Sequence, residues 1–403
     1  FKDVYNYQGN LYVLVQDARA RLPQVAEKHL YPIRETGILK QLVLFLACAG
    51  TNQVPVIVPA DSKLEVTDTL FDTPVPERAV MAVMTSGTTG IPKILFRSFE
   101  SWADFFPIQN EVFGVDADSR LFVQGSLAFT GNLNLYMAQL AAGGTLIAED
   151  VFLPGKWEKV MARERANGIY LLPSKLLMLP QFCVSVNANI RTIISGSQSL
   201  GRNDAEVLKK IFPNTEITLY YGASELNYIT YVKSADMTEE RNLIGKPFPG
   251  VRVFIQDDEM YVDNAFHVEN ITVPYSLRDS GRMDAQGNFY FLGRTDDIVG
   301  VRGRKVSMMK IENALEEVAG ITEASVVLLP KEKDADMPAE IVSAFVTVEG
   351  TDVPENLRQQ LKEKLADFEI PKRVIVLEAF PKNTSGKVDK ARLKKMWIEQ
   401  EPQ

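Results

Sequence analysis

Short runs of hydrophobic residues alternate along the chain with stretches of helical periodicity. The apolar runs lie at 53–60, 78–90, 120–127, 143–150, 168–174, 190–197 and 216–224. Segments with apolar residues at helical spacing lie between some of them, such as WEKVMARERA and RNDAEVLKKIF. Alternation of this kind predicts an α/β fold, in which helices cover mainly parallel sheets on both faces.

The pattern changes after Gly245. The segment GKPFPGVRVFIQDDEMYVDN combines Pro and Gly with alternating residues, and it predicts a small β-rich subdomain. Beyond GNFYFLGRTDD the order helix, two strands, helix, strand predicts a compact α+β unit. We therefore expect a large N-terminal domain over 1–295 and a small C-terminal domain over 296–403.

Composition and charge narrow the function classes. The 403 residues carry a formal net charge of −8, which argues against a nucleic-acid partner. Cys48 and Cys183 both lie in apolar surroundings, which favours buried free thiols over a disulfide and a reducing, cytoplasmic location. His29 and His267 are too few for a His-based metal site. The longest apolar run, LVLFLACAG, is about half a membrane span, so we expect no span.

Several strands end in small polar residues, and ligands bind beyond the carboxyl ends of parallel strands. The strand end that is richest in Gly, Ser and Thr is TSGTTGIPK (85–93). Its glycines let the backbone approach an anion, and its hydroxyls donate hydrogen bonds to phosphate oxygens. The spacing is not that of a Walker A loop, which ends in Gly-Lys-Ser/Thr. We expect a phosphate-binding loop here; the alternative is a polar surface turn.

Four segments, in chain order, resemble the motifs of the adenylate-forming superfamily of acyl- and aryl-CoA ligases, peptide-synthetase adenylation domains and luciferases. These are TSGTTGIPK (85–93), YYGASE (220–225), YSLRDSGRMDAQGNFYFLGRTDD (275–297) and PKNTSGKVDK (381–390). The resemblance covers about residue 40 to the end. It implies a small, mobile C-terminal domain. Most members of the superfamily have a longer region before the phosphate loop, so we expect an abbreviated N-terminal part.

The resemblance implies an activity and its cofactors. A carboxylic acid would be activated with ATP and Mg²⁺ to an acyl-adenylate, with release of pyrophosphate. The acyl group would then pass to the thiol of CoA. Two other functions stay open. One is transfer to the phosphopantetheine of a carrier protein, and the other is nucleotide binding without catalysis, as in a degenerate member.

Nucleotide-binding roles follow from the resemblance, residue by residue. Tyr221 would stack on adenine against the SGSQ turn at 195–198, Asp279 would bind the ribose hydroxyls, and Glu225 would coordinate Mg²⁺. Ser197 stands where a small alanine is usual, and Asp279 follows LR where the family has Thr-Gly. The implied set is Thr85, Ser86, Gly87, Thr88, Thr89, Gly90, Lys93, Gly196, Ser197, Gln198, Tyr220, Tyr221, Gly222, Ala223, Ser224, Asp279 and Arg294.

The C-terminal domain would bring further residues to the reaction. Lys387 would bridge the carboxylate and the α-phosphate as negative charge builds in the transition state, and with Glu225 it forms the implied catalytic pair. Asp296 corresponds to the hinge about which the domain turns. The segment GVRGRKVS (300–307) would then direct Arg302, Arg304 and Lys305 toward CoA phosphates; a solvated loop is the alternative.

The acid pocket would lie along GSLAFTGNLNLY (125–136) and the neighbouring turns. This segment lacks the aspartate with which amino-acid adenylators bind an ammonium group, and the histidine of many CoA ligases. An aryl or medium-sized acyl acid without a free α-amino group is therefore favoured. The candidate lining residues, for which ordinary core positions are the alternative, are Phe129, Thr130, Gly131, Asn134, Ser174, Ser197 and Ala223.

Overall fold

The computed structural model describes residues 10–60, 62, 64, 68–85, 92–295, 298–301, 304–331, 340–350, 352–382 and 388–399. The chain forms two compact units. The first comprises residues 1–254, 261–275 and 287–289, and the second comprises 255–260, 276–286 and 290–403. The boundary that the sequence suggests between 295 and 296 stays a prediction.

The first unit contains nine of the described helices. They are α1 (Asn10–Ala20), α2 (Ile38–Cys48), α3 (Phe99–Trp102), α4 (Phe106–Phe113), α5 (Thr130–Ala141), α6 (Pro154–Arg163), α7 (Pro173–Leu176), α8 (Leu179–Phe182) and α9 (Arg202–Ile211). Its strands are β1 (His29–Ile33), β2 (Gln53–Ile57), β3 (Ala79–Thr85), β4 (Lys93–Ser98), β5 (Arg120–Gln124), β6 (Thr145–Glu149), β7 (Gly168–Tyr170), β8 (Thr192–Gly196), β9 (Glu216–Ala223), β10 (Asn227–Lys233) and β11 (Leu243–Pro247).

A four-stranded sheet in the order β1-β2-β3-β4 carries the ends of the predicted phosphate loop. β1, β2 and β3 are parallel, and β4 returns antiparallel to β3. Leu30, Val56 and Phe96 are buried in the core of this sheet. The register pairs Thr85 with Lys93, so the first and last residues predicted to bind phosphate lie opposite each other.

A larger sheet has the strand order β11-β10-β9-β8-β7-β5-β6 within the first unit. The strands from β9 to β6 are parallel to one another, and β10 runs antiparallel to both of its neighbours, β9 and β11. Phe122, Ile169, Ile193 and Ile217 are completely buried, because central parallel strands are covered on both faces. The predicted α/β fold is confirmed. The carboxyl ends of β5, β7, β8 and β9 lie along one edge of the sheet.

The β-rich segment after β11 contains β12 (Arg252–Gln256), β13 (Glu259–Asp263), β14 (Tyr275–Met283) and β15 (Phe289–Arg294), which pair in chain order. The part of the second unit beyond β15 contains β16 (Ile298–Val301), β17 (Arg304–Ser307), α10 (Met308–Glu316), β18 (Ile321–Pro330), β19 (Glu340–Val348), α11 (Leu357–Lys362), β20 (Arg373–Val376) and α12 (Lys390–Glu399). From α10 to β20 the order is the predicted helix, two strands, helix, strand. Ile311, Leu315 and Val346 are buried in its core. Across the described ranges, no helix combines the length and the hydropathy that crossing a membrane requires.

Candidate nucleotide and acid site

Gly196 and Tyr220 pack against each other at the carboxyl ends of β8 and β9 and form a surface that we call the glycine–tyrosine wall. Gly196 and Tyr220 are register partners, and a Cβ atom added to Gly196 would lie 2.4 Å from the Tyr220 ring. Only glycine fits this contact. The Tyr220 hydroxyl lies 2.9 Å from that of Tyr170, and burial raises the pKa of Tyr220 to about 12. Tyr220 therefore supports the wall from within the core.

The turn after β8 holds the residues predicted to flank adenine. Ser197 adopts a left-handed conformation (φ 68°), and its side chain hydrogen-bonds to Tyr220. The Gln198 side-chain oxygen accepts a hydrogen bond of 3.0 Å from the backbone N–H of Ser174, at the start of α7. The half-buried Tyr221 follows Tyr220, and successive strand residues face opposite sides of a sheet. Tyr221 therefore faces the opposite side of the sheet from Tyr220, and its stacking on adenine stays a prediction.

Arg97, which the sequence analysis did not select, anchors the turn that contains Ser224 and Glu225. It is completely buried in β4. Its Nη2 donates to the Ser224 carbonyl at 2.8 Å, and its Nη1 donates to the carbonyls of Phe266 at 2.8 Å and Ser101 at 3.1 Å. Burial lowers the pKa of Arg97 to about 10, and the negative charge of Glu225 opposes that effect. The sequence offered one signal for this residue, which is a single positive charge inside the apolar run ILFRS.

Further contacts fix the same turn. The Ser224 hydroxyl lies 2.7 Å from that of Thr130, the first residue of α5. The backbone N–H of Val268 donates to the Glu225 carbonyl at 2.9 Å, and Asn264 donates to the Leu226 carbonyl at 3.0 Å. Held in this way, the turn presents a hydroxyl and a half-buried carboxylate next to one another.

Glu225 offers a single carboxylate, which suits a cation that is bound mainly by the phosphates of a nucleotide. No group of three or more His, Cys, Asp or Glu residues suited to a metal occurs among the described residues. A single carboxylate with phosphate oxygens and water is the set that Mg²⁺ commonly has in nucleotide enzymes. Glu225 is therefore suited to Mg²⁺ that arrives with a nucleotide.

The predicted acid-pocket residues divide into two groups. Phe129, Thr130 and Ser174 are partly exposed at the edge of the sheet, beside Gly131. Asn134 is different, because it is buried with 2% of its surface exposed. Its amide accepts a hydrogen bond from Trp102 Nε1 at 2.8 Å and donates one to Asn227 at 2.9 Å. This is a packing position and not a pocket surface.

The second unit contains the predicted ribose ligands. Asp279 on β14 is buried with 5% exposed, and its Oδ1 lies 3.6 Å from Nε of the exposed Arg294 on β15. The two residues are therefore neighbours, and their roles toward the nucleotide stay predictions. The Arg304 guanidinium lies 4.7 Å from the centre of the Phe368 ring. Other predicted positions lie outside the described residues: Ser86, Gly87, Thr88, Thr89, Gly90, Asp296, Arg302, Lys387 and the side chain of Lys305.

Curated relatives of the chain include ligases and synthetases. The chain is 26% identical over 399 residues to the uncharacterized acyl–CoA ligase YhfT of Bacillus subtilis, covering 93% of this chain and 81% of that protein. It is 27% identical over 346 residues to a linear gramicidin synthase of Brevibacillus parabrevis, covering 77% of this chain and 7% of that much longer protein.

Solved structures share the fold. ATP-bound MatB from Rhodopseudomonas palustris superposes with a TM-score of 0.82 at 20% identity, covering 97% of this chain and 93% of that one. The o-succinylbenzoate CoA synthetase MenE from Bacillus subtilis, in complex with ATP and a magnesium ion, gives a TM-score of 0.80 at 17% identity, covering 96% and 94%.

Family models account for most of the chain. The model of the AMP-binding enzymes matches residues 17–265, which span the phosphate-loop strands, the glycine–tyrosine wall and the Glu225 turn. The model of their C-terminal domain matches residues 310–387, in the second unit. The chain therefore belongs to the family of AMP-binding enzymes, the adenylate-forming ligases.

Proposed function

We propose that this enzyme activates a carboxylic acid with ATP and then transfers the acyl group to the thiol of CoA. The observation that carries the proposal is the Ser224–Glu225 turn, fixed by Arg97 and Thr130 at the sheet edge beside the glycine–tyrosine wall. This arrangement offers a hydroxyl for a phosphate and a carboxylate for its cation, next to a flat surface for a base.

The first half-reaction follows from these groups. A carboxylate oxygen of the acid attacks the α-phosphorus of ATP, and the bond to pyrophosphate breaks. Mg²⁺, when bound, supplies positive charge that neutralises the triphosphate. Glu225 holds that cation, and Ser224, Thr85 and Lys93 bind phosphate oxygens. Lys387 stabilises the charge that builds between the two anions in the transition state.

Binding of the nucleoside completes the assignment. Tyr221 and the 196–198 turn enclose the adenine, and Asp279 accepts hydrogen bonds from the ribose hydroxyls, which suit a carboxylate. Arg294, beside Asp279, contacts the ribose or a phosphate. The acid lies along the start of α5, near Phe129, Thr130 and Gly131.

The acceptor is the second part of the proposal. CoA is favoured because YhfT is named an acyl–CoA ligase and MenE a CoA synthetase. The match to a gramicidin synthase favours the phosphopantetheine of a carrier protein as the second candidate. Both acceptors present the same thiol. Thioester formation on a carrier protein but not on free CoA would decide for the second candidate.

The proposal is tested by exchange of labelled pyrophosphate into ATP, with a panel of aryl, short-chain and medium-chain acids and amino acids. We expect Mg²⁺-dependent exchange with aryl or medium-chain acids and none with amino acids. Lys387→Ala is expected to lower the exchange rate by about 10² to 10³, as for loss of one charge-stabilising group. Nucleotide binding without acid-dependent exchange across the whole panel would overturn the proposal.

A further inference from the structure

Lys175 lies at the edge of the large sheet where the acid is proposed to bind, yet the motifs of the family do not include it. It lies in α7, five residues after Tyr170 ends β7. Its ammonium hydrogen-bonds to the side-chain oxygen of Gln124, the last residue of the adjacent strand β5. The hydrogen bond between Ser174 and Gln198 fixes the start of α7 beside the turn after β8. Lys175 therefore lies on the same edge as the glycine–tyrosine wall.

The charge of Lys175 has no counter-ion in the protein as described. Within the described part of the chain, no carboxylate forms an ion pair with its ammonium. Burial alone lowers the pKa of Lys175. An ammonium carries three donors, and Gln124 supplies one neutral acceptor. A partly buried cation in this state gains free energy when an anion binds to it.

We propose that Lys175 binds a second anionic group of the acid substrate, so that the enzyme prefers dicarboxylic acids. The inference rests on the proposed function and adds a substrate class to it. The reacting carboxylate belongs near Ser224 and Glu225, because those residues bind the nucleotide phosphates and their cation. The second carboxylate belongs at Lys175, at the other side of the same edge.

The strand order gives the length of such a substrate. Glu225 follows β9, Lys175 follows β7, and β8 lies between these two strands. Because neighbouring strands lie about 4.8 Å apart, two strand spacings separate the groups by about 10 Å. A medium-length diacid spans that distance, whereas malonate is too short. An aryl diacid of similar length also fits the apolar surroundings.

The test compares acids that differ only at the distal end, using pyrophosphate exchange. Hexanedioate is paired with hexanoate, and octanedioate with octanoate. We expect the wild-type enzyme to favour the diacid of each pair in kcat/KM by about tenfold or more, because a polar site discriminates strongly against a ligand that leaves it unpaired. Lys175→Met is expected to lower this ratio by about tenfold, mainly by raising KM for the diacid.

A second variant tests the counter-ion argument while Lys175 is retained. Gln124→Glu places a carboxylate of nearly the same shape beside the ammonium, so it competes with the substrate carboxylate and is expected to lower the same ratio. Lys156→Met, on the exposed face of α6, removes one lysine away from the site and should leave the ratio unchanged. Thermal unfolding of each variant verifies that it folds.

The outcomes separate the inference from the proposed function. Equal use of diacids and monoacids by the wild-type enzyme overturns the inference and leaves acid activation standing. So does a ratio that survives both Lys175→Met and Gln124→Glu. Absence of exchange with every acid overturns the proposed function, and the inference falls with it.

Discussion

Arg97 occupies an interior strand position that would ordinarily hold an apolar side chain. Its two terminal nitrogens reach carbonyls on three separate segments, at Ser101, Ser224 and Phe266. A buried cation is costly unless polar groups surround it, and these carbonyls and the nearby Glu225 supply that environment. The residue therefore couples the core of the four-stranded sheet to the turn proposed to bind Mg²⁺.

Replacing Arg97 tests this coupling. Arg97→Met leaves three carbonyls without their donor, and the loss of a partner costs about 1–3 kcal/mol for a fully buried carbonyl such as that of Ser101. We expect a lower melting temperature and a rise of about tenfold in KM for MgATP, since about 1.4 kcal/mol of lost positioning corresponds to tenfold. Pyrophosphate exchange at varied MgATP measures the second effect.

Arg120 offers a matched control for that variant. It begins β5, at the opposite end of its strand from Gln124, and its Nε donates to the Glu164 carbonyl at 2.8 Å. Arg120→Met should lower the melting temperature and leave KM for MgATP unchanged. Equal effects of the two substitutions on KM would show that Arg97 acts only through stability.

At the scale of secondary structure, glycine occupies the same position in the first turns of α5 and α6 but meets different neighbours. Each helix has glycine at its second position, Gly131 in α5 and Gly155 in α6. A Cβ atom at Gly131 would lie 2.6 Å from the Tyr220 hydroxyl and 3.0 Å from that of Tyr170. At Gly155 the nearest atom is a ring carbon of Phe182, at 3.8 Å. Close packing requires glycine only in α5.

The two glycines predict opposite effects for the same substitution. Gly131→Ala pushes α5 away from two buried tyrosines, and overpacking of this kind costs about 1–3 kcal/mol. Gly155→Ala creates no clash and gains helix propensity, up to about 1 kcal/mol. Thermal unfolding should place the first variant below the wild type and the second at or above it. A Gly131→Ala protein as stable as the wild type would show that α5 does not pack this closely.

Element positions were largely predictable from the sequence, because buried parallel strands are continuous apolar runs that end in small polar residues. The strands from β5 to β9 each fall within a predicted run. β1, β4 and β10 were not predicted, since Pro32, Arg97 and Asn227 interrupt their apolar character or begin them with a turn residue. Their pairing partners, which compensate for these residues, lie elsewhere in the chain.

For the molecule as a whole, residues of the candidate site could be predicted from the sequence only where they form a short local motif. The Glu225 turn and the Asp279–Arg294 pair are such cases. Arg97 and Lys175 are not, because their partners are distant in sequence: Arg97 contacts Ser224 across 127 positions, and Lys175 contacts Gln124 across 51. Periodicity reports which face of an element is buried, and it does not report what a buried polar group meets.

The free energy of unfolding at alkaline pH is a property of the whole chain, and buried thiols and tyrosines contribute to it. Burial raises the pKa of Cys48 from 9.0 to about 12 and that of Cys183 from 9.0 to about 11. Both thiols are thus neutral in the folded chain at a pH where the unfolded chain has ionised them. Their contribution to the free energy of unfolding is complete below pH 9 and is lost as the pH rises toward 11–12. At pH 10 the loss is about 1.4 kcal/mol per thiol.

We therefore expect the urea midpoint to fall between pH 8 and pH 10, and a variant without the two thiols separates their share from that of other groups. Burial also raises the pKa of Tyr220 to about 12, so the tyrosines add to the loss mainly above pH 10. The double variant Cys48→Ala/Cys183→Ala should be less stable at pH 8, because it leaves small cavities. Its midpoint should nevertheless fall less over the same pH interval, because no thiol ionises on unfolding. An equal fall in both proteins would mean that the thiols ionise as readily in the folded chain as in the unfolded one, and would contradict the burial that the structure gives them.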